Sequence, residues 1–117
     1  MKKKRILMVC EAFGGGVFTY VSQLCNDMVD EFDVYLAYSL RPQTPKNYTD
    51  FLDQRVHLIE MENVGVKGLT NLKSDIAAIK ELRQIEKDVK PDVIHLHSSV
   101  AGGLGRLAYK GKNNTVV

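Results

Sequence analysis

The sequence is poor in cysteine and has no long apolar run. Its two cysteines, Cys10 and Cys25, are too few for the disulfide framework of a small secreted domain, and both fall on predicted secondary structure, which favours reduced, buried thiols. The apolar run at 6–10 is too short for the core of a signal peptide. No stretch approaches the roughly 18 apolar residues of a membrane-spanning helix. We therefore expect a cytoplasmic protein.

The sequence also lacks an excess of either charge. Its 16 Lys and Arg residues against 14 Asp and Glu residues give a formal net charge of +2, too mild to indicate a nucleic-acid partner, and no nucleic-acid motif is present. The basic run at 2–5 has two interpretations: contact with anionic lipid at the inner face of a membrane, or a solvated lead-in to the first strand. The composition, with 44% hydrophobic and 26% charged residues, is typical of one globular domain.

Apolar patterns of strand and helix type alternate along the chain. They predict strands at 6–10, 32–38, 55–60 and 92–97, and 115–117 looks like the start of a fifth. A four-three-four spacing predicts a first helix, and Pro91 ends a long second one. The predicted apolar faces are Val17, Val21, Leu24 and Met28 in the first helix, and Leu72, Ile76, Ile79, Leu82, Ile85 and Val89 in the second.

The connections between these elements are less regular. The stretch 41–50 is a predicted loop, with room for one helical turn at 48–53. The stretch 61–71 combines two glycines with Val64, Val66 and Leu69; it is a candidate mobile loop that either packs under the sheet or contacts a ligand or membrane. A short glycine-bearing helix is predicted at 102–110.

Strands that alternate with helices predict a Rossmann-like α/β fold: a doubly wound parallel sheet, strand order 3-2-1-4-5, between two helical layers. The first and fourth strands are then neighbours where the winding reverses, and ligands bind outside the carboxyl ends of the strands at that point. The glycine loop after the first strand and the corner after the fourth should line one crevice. Its residues are Gly14, Gly15 and Gly16 in the loop and His97, Ser98 and Ser99 at the corner.

The glycine loop has the chemistry of an anion site. Glycine permits positive φ and lets a ligand approach bare backbone, while the following helix presents unpaired N–H groups and the positive end of its dipole. At the corner, His97 is either a substrate contact or a structural hydrogen-bonding residue, and a general-base role is the least favoured. His95 is predicted to be a packed core histidine, and two histidines without a third ligand do not make a metal site. Glu11 either binds a substrate hydroxyl or leads into the turn, which is the favoured interpretation.

Three segments carry a resemblance to a known family. They are GGGVFTYVSQL at 14–24, FDVYL at 32–36 and KPDVIHLHSSVAGGLGRLA at 90–108, and together they resemble the N-terminal half of the family 4 retaining glycosyltransferases of bacterial polysaccharide synthesis. The resemblance implies the GT-B fold, with the acceptor held mainly by the N-terminal domain and a nucleotide-sugar donor mainly by a C-terminal one. The implied reaction transfers a hexosyl unit to a glycan or lipid-linked acceptor, as in capsule synthesis, with retention of configuration. No metal ion or cofactor is implied; the nucleotide sugar is a substrate.

The resemblance also implies site residues and domain organisation. Gly14, Gly15 and Gly16 match the loop that approaches the donor diphosphate, and His97 matches the histidine at the interdomain cleft. No catalytic residue is assigned. We interpret 1–117 as an acceptor-side domain that stops in or before its fifth strand and lacks the donor domain, and so is inactive alone. The uncovered cleft predicts weak self-association.

Two other functions share the strand-glycine-helix pattern. A dinucleotide-binding oxidoreductase would have a third glycine where Thr19 stands, and an acidic residue at the end of the second strand, where the sequence has Tyr38 and Ser39. A non-catalytic receiver-like domain would have clustered carboxylates after the first strand, but only Glu11 and Glu60 are available. NAD binding or metal-dependent phosphorylation would support these alternatives.

Overall fold

The computed structural model describes residues 3–62, 72–97 and 115–116. The strands and helices alternate as the apolar patterns predict, and the single predicted turn at 48–53 is a 3-10 helix. The elements are β1 (Lys4–Phe13), α1 (Gly15–Met28), β2 (Phe32–Leu40), the 3-10 helix (Tyr48–Phe51), β3 (His57–Glu60), α2 (Leu72–Val89), β4 (Val93–His97) and β5 (Thr115–Val116). All but the first two residues of the predicted loop at 61–71 lie outside the described residues, as do the corner residues Ser98 and Ser99 and the predicted helix at 102–110.

The five strands form one sheet in the order β3-β2-β1-β4-β5, which confirms the predicted order. All four strand pairs are parallel, and β1 lies between β2 and β4. The register places Cys10 opposite Tyr38 on β2 and opposite His97 on β4. Because the strands run in one direction, the ends of β1, β2 and β4 share one side of the sheet, which we term the carboxyl edge.

The core consists of two layers because successive side chains of a strand point to opposite faces. Alternate residues of β1 pack against α1, and the others pack against α2. The first cluster includes Ile6, Met8, Cys10, Val21 and Cys25, and the second includes Leu7, Val9, Ala78, Leu82 and Val89. Both cysteines are buried thiols, as expected. The sheet therefore lies between two helical layers, as predicted for a doubly wound fold.

Among the side chains that the structure describes, each helix departs from its predicted apolar face at one residue. In α1, Val17 is 40% exposed and Phe18 is buried instead, because the Phe18 ring packs edge-on against Phe13 with 4.8 Å between ring centroids. In α2, Ile76 is 44% exposed, while Leu82 is fully buried. The apolar stripe of each helix is wider than the strip that contacts the sheet, so its outer members stay in solvent.

The first strand is longer than the predicted 6–10. β1 continues through Glu11 to Phe13, with an irregularity between Cys10 and Phe13. Glu11 is only 5% exposed, and Arg41 at the end of β2 neutralises its carboxylate, with 2.7 Å between Nη2 and Oε2. Glu11 therefore lies inside the strand and not after it, as the predicted bounds had it: the ion pair lets a charged residue extend a buried strand.

Two members of the basic run at 2–5 have structural partners. Lys3 Nζ donates a hydrogen bond to the Val29 carbonyl, just after α1, and Arg5 Nη1 donates one to the Val89 carbonyl at the end of α2, both at 2.9 Å. Cations at these positions satisfy helix-terminal carbonyls and complement the negative end of each dipole. Lys3 and Arg5 thus stabilise two helix ends. None of the described helices is long and apolar enough to cross a bilayer.

Candidate functional site

Three glycines connect β1 to α1, and each has a different environment. Gly14 is the N-cap of α1 and is extended (φ −160°, ψ 167°); a Cβ added there would lie 2.3 Å from Cγ of Gln43. Gly15 has a φ of 57°, in the left-handed region that side chains disfavour. A Cβ on Gly16 would meet nothing within 4 Å. The loop is therefore closely packed at its first glycine, bent at its second and open at its third.

The first turn of α1 has no side-chain cap and no acidic residue. Its first backbone hydrogen bond runs from the Phe18 N–H to the Gly14 carbonyl, at 3.2 Å. The N–H groups of Gly15, Gly16 and Val17 therefore have no partner within the helix. Unpaired N–H groups and the positive end of a helix dipole attract an anion. The loop has the arrangement expected of an anion site, and the ligand itself stays a prediction.

His97 lies at the carboxyl edge, next to α1. It ends β4 opposite Cys10 of β1. Its ring contacts Tyr20, in the second turn of α1, edge-on, with 6.2 Å between the ring centroids. Tyr20 is 60% exposed, although it is a large aromatic residue. The structure thus brings His97 to the helix that begins at the glycine loop, as the predicted strand order requires.

The His97 imidazole is held in its neutral form. Burial, and to a smaller extent the charge of neighbouring His95, lower the pKa of His97 from 6.5 to about 4. The two rings lie 4.0 Å apart between centroids. Burial also lowers the pKa of His95. The His95 side chain, predicted to be packed in the core, is only partly buried. Within the described ranges, no three His, Cys, Asp or Glu side chains are placed to hold a metal ion.

One nitrogen of the His97 ring lacks a hydrogen-bond partner among the described residues. Nε2 is buried and makes no hydrogen bond in the part of the chain that the structure describes. A neutral imidazole offers one donor and one acceptor, and a buried polar atom without a partner is unfavourable. The Nε2 atom is thus suited to a hydrogen bond with a substrate group.

A turn after β2 is fastened to the end of β1. Arg41 contacts Glu11 twice, through Nη2 to the carboxylate (2.7 Å) and through Nε to the backbone carbonyl (3.1 Å). The Thr44 hydroxyl donates to the Phe13 carbonyl and accepts from the Arg41 N–H at 2.9 Å. These four residues, Glu11, Phe13, Arg41 and Thr44, form what we term the edge clasp. Because two of its guanidinium nitrogens are bound to Glu11, Arg41 holds the turn after β2 against the end of β1 at the carboxyl edge.

The sequence analysis singled out the glycines and His97 as candidate site residues but not the edge clasp, Gln43 or Tyr20. One available signal is the charged residue Arg41 directly after a strand, since all strand ends of a parallel sheet share one edge. No pattern in the sequence pairs Gln43 with Gly14, because their contact depends on the conformation of the turn.

The family model for Glycosyltransferase Family 4 matches residues 14–117. The match covers most of the chain and includes both the glycine loop and His97. No curated protein sequence matches the chain significantly.

The fold is similar to that of solved glycosyltransferases. The apo form of the lipopolysaccharide outer core galactosyltransferase WaaB matches with a TM-score of 0.73 and 14% identity, over 96% of this chain and 32% of that one. A glycosyltransferase from Rickettsia africae ESF-5 matches with a TM-score of 0.71 and 19% identity, over 99% and 29% of the two chains. The chain thus spans about a third of the length of these structures.

The same fold also occurs outside this class. The C-terminal domain of the PF1911 hydrogenase from Pyrococcus furiosus matches with a TM-score of 0.69 and 12% identity, over 100% of this chain and 92% of that domain. At such identities a structural match shows the fold alone. The family match is therefore what separates the possible functions.

Proposed function

The chain belongs to glycosyltransferase family 4 and has the fold of the N-terminal domain of a GT-B glycosyltransferase, and on this basis we propose that it works in sugar transfer. It is the acceptor-side domain of an enzyme that moves a hexosyl unit from a nucleotide sugar to a glycan or lipid-linked acceptor, with retention of configuration. We assign the reaction to the synthesis of a cell-surface polysaccharide such as a capsule. It takes place in the cytoplasm, at the inner face of the membrane when the acceptor is lipid-linked.

The observation that carries this proposal is the proximity of the glycine loop to His97. β1 and β4 are neighbours, and the Tyr20 ring on α1 contacts the His97 ring. These contacts support the proposal that both features open on one crevice where the winding of the sheet reverses, the usual ligand site of such folds. The family match spans both features.

The glycine loop supports the departure of the nucleoside diphosphate. Negative charge builds on the leaving group as the glycosidic bond to phosphate breaks. Backbone N–H groups that already point at this charge stabilise it without the reorganisation that water would need. In this proposal Gly15 and Gly16 supply those groups, and neither a metal ion nor a cofactor is required.

His97 serves as a substrate contact. Its Nε2 atom is buried without a partner among the described residues and can hydrogen-bond a sugar hydroxyl in the crevice. With a pKa of about 4, the ring is too weak a base for efficient proton abstraction at neutral pH. We therefore assign it binding and orientation rather than general-base catalysis.

The donor site is completed by a second lobe. Because the chain spans about a third of its structural relatives, we propose that most donor contacts come from a C-terminal domain. The 117-residue chain should then show no transfer by itself, and its uncovered cleft favours weak self-association.

The test is a transfer assay with UDP-, GDP- and dTDP-activated hexoses and a lipid-linked acceptor. Residues 1–117 alone should give no glycosylated product, whereas the same domain joined to a family 4 donor lobe should give one. The anomeric proton coupling of the product, read by NMR, should show the configuration of the donor. Robust transfer by residues 1–117 alone, or an inverted product, would contradict the proposal. A His97→Ala variant of the joined protein should lose most of its activity, with a Gln54→Ala variant as the control.

A further inference from the structure

The side chain of Gln43 lies across the backbone of Gly14, at the entrance to the glycine loop. A Cβ built on Gly14 would lie 2.3 Å from Cγ, 3.0 Å from Cδ and 3.3 Å from Nε2 of Gln43. Non-bonded carbon atoms do not approach to 2.3 Å, so Gln43 occupies space that only a glycine leaves free. Gln43 is nevertheless an exposed residue. The structure thus places a carboxamide beside the loop and in contact with solvent.

The edge clasp holds the turn that carries this side chain. The Thr44 N–H donates to the Arg41 carbonyl at 2.9 Å, which closes a four-residue turn with Gln43 at its third position. Both ends of the turn are fastened to β1: Arg41 is bound to Glu11, and the Thr44 hydroxyl is bound to the Phe13 carbonyl. A group presented by a fixed turn loses less conformational entropy on binding than one on a free loop. Gln43 is therefore positioned in advance.

We propose that Gln43 is a ligand contact of the glycine loop, and that its carboxamide donates a hydrogen bond to a phosphate oxygen of a bound diphosphate. The inference rests on the proposed function, which assigns that group to the loop. A primary amide has two N–H donors, and they add to the backbone donors of Gly15 and Gly16. Arg41 is already paired with Glu11. At this turn the diphosphate therefore meets a neutral donor.

The experiment measures the affinity of the 117-residue chain for inorganic pyrophosphate by isothermal titration calorimetry. Gln43→Ala should weaken binding about tenfold, the factor expected when one hydrogen bond to a charged group is lost. Gln43→Glu keeps the shape of the side chain but replaces the donors with a negative charge, so it should weaken binding further. Gln54→Ala is the matched control: it removes an exposed glutamine that precedes β3, at the opposite edge of the sheet, and binding should not change.

Each outcome decides a separate point. Unchanged pyrophosphate affinity in Gln43→Ala and Gln43→Glu, with a wild-type chain that binds, overturns the role of Gln43 and leaves the proposed function intact. Tighter binding by Gln43→Ala overturns it as well, because the side chain would then obstruct the loop. A wild-type chain that does not bind pyrophosphate contradicts both the anion site of the proposed function and this inference. Equal thermal unfolding temperatures for all variants show that the affinities compare folded proteins.

Discussion

Tyr20 and His97 touch where α1 passes the end of β4, with their rings at 70° and their centroids 6.2 Å apart. The contact connects the helix that begins at the glycine loop to the strand that ends in the histidine. It also covers one side of the imidazole and so adds to the burial that lowers the pKa of His97. Through this contact the beginning of α1 and the end of β4 form one packed unit.

Removal of the Tyr20 ring should raise the pKa of His97. A Tyr20→Ala variant exposes the imidazole to water, so its pKa should move from about 4 towards the ordinary histidine value. The measurement is an NMR pH titration of the ring protons. Tyr35→Ala is the control, because it removes a ring stacked on His57, 4.3 Å between centroids, and should not alter His97. An unaltered His97 titration in Tyr20→Ala would show that the contact contributes nothing to the burial.

The stability of the fold should fall as the pH drops from about 6.5 to about 4. The folded-state pKa values of His95 and His97 both lie below the ordinary histidine value of 6.5, so in this interval the unfolded chain binds more protons than the folded one. The contribution of the two histidines to the free energy of unfolding is complete at pH values above their pKa in the unfolded chain. It is lost as the pH falls towards their pKa in the folded chain. Urea unfolding at a series of pH values measures the effect, with carboxyl groups adding to it at the acid end. In His97→Gln the slope should be smaller; an identical slope would rule out His97 as its source.

Loss of Arg41 should destabilise the fold strongly. Arg41→Met leaves the buried Glu11 carboxylate without its partner, and removal of one member of a buried ion pair costs about 3 kcal/mol of unfolding free energy. Arg55→Met is the matched control: its partners Asp30 and Asp53 form an exposed network, so the change should be much smaller. Urea unfolding compares the two variants. Equal destabilisation would mean that the Glu11 pair contributes no more than a surface contact.

The second and third glycines of the loop should respond in opposite ways to alanine. Gly15 has a φ of 57°, so Gly15→Ala should cost about 1 kcal/mol of stability. Gly16 lies in the first turn of α1 with open space around its Cα, so Gly16→Ala should stabilise the fold by about 0.5–1 kcal/mol. Thermal unfolding of both variants checks this difference. The same sign for both would mean that the backbone at Gly15 is not bent as described.

The sequence was enough to predict the order and direction of the strands. Apolar runs locate β1 and β4, and the handedness of crossover connections makes them neighbours, as the structure confirms; that the glycine loop and His97 line one crevice stays a prediction. The end of β1 did not follow, because Glu11 extends a buried strand only through Arg41, a partner distant in sequence. The contact of Gln43 with Gly14 could not be predicted either, because these two residues are also distant in sequence.

Helix faces were predictable only in part. Spacing alone placed both Val17 and Ile76 on buried stripes, yet both are exposed. Which stripe residue reaches the sheet depends on the rotation of the packed helix, which the Phe13 and Phe18 rings fix in α1.

Chemical-shift mapping of the isotopically labelled chain with inorganic pyrophosphate shows most directly whether the glycine loop and His97 line one anion-binding crevice. We expect the amide signals of Gly15 and Gly16 and the ring signals of His97 to shift together, with one common affinity. Shifts confined to the basic residues Lys3, Lys4 and Lys90 at the opposite edge, or no shifts at all, would contradict it.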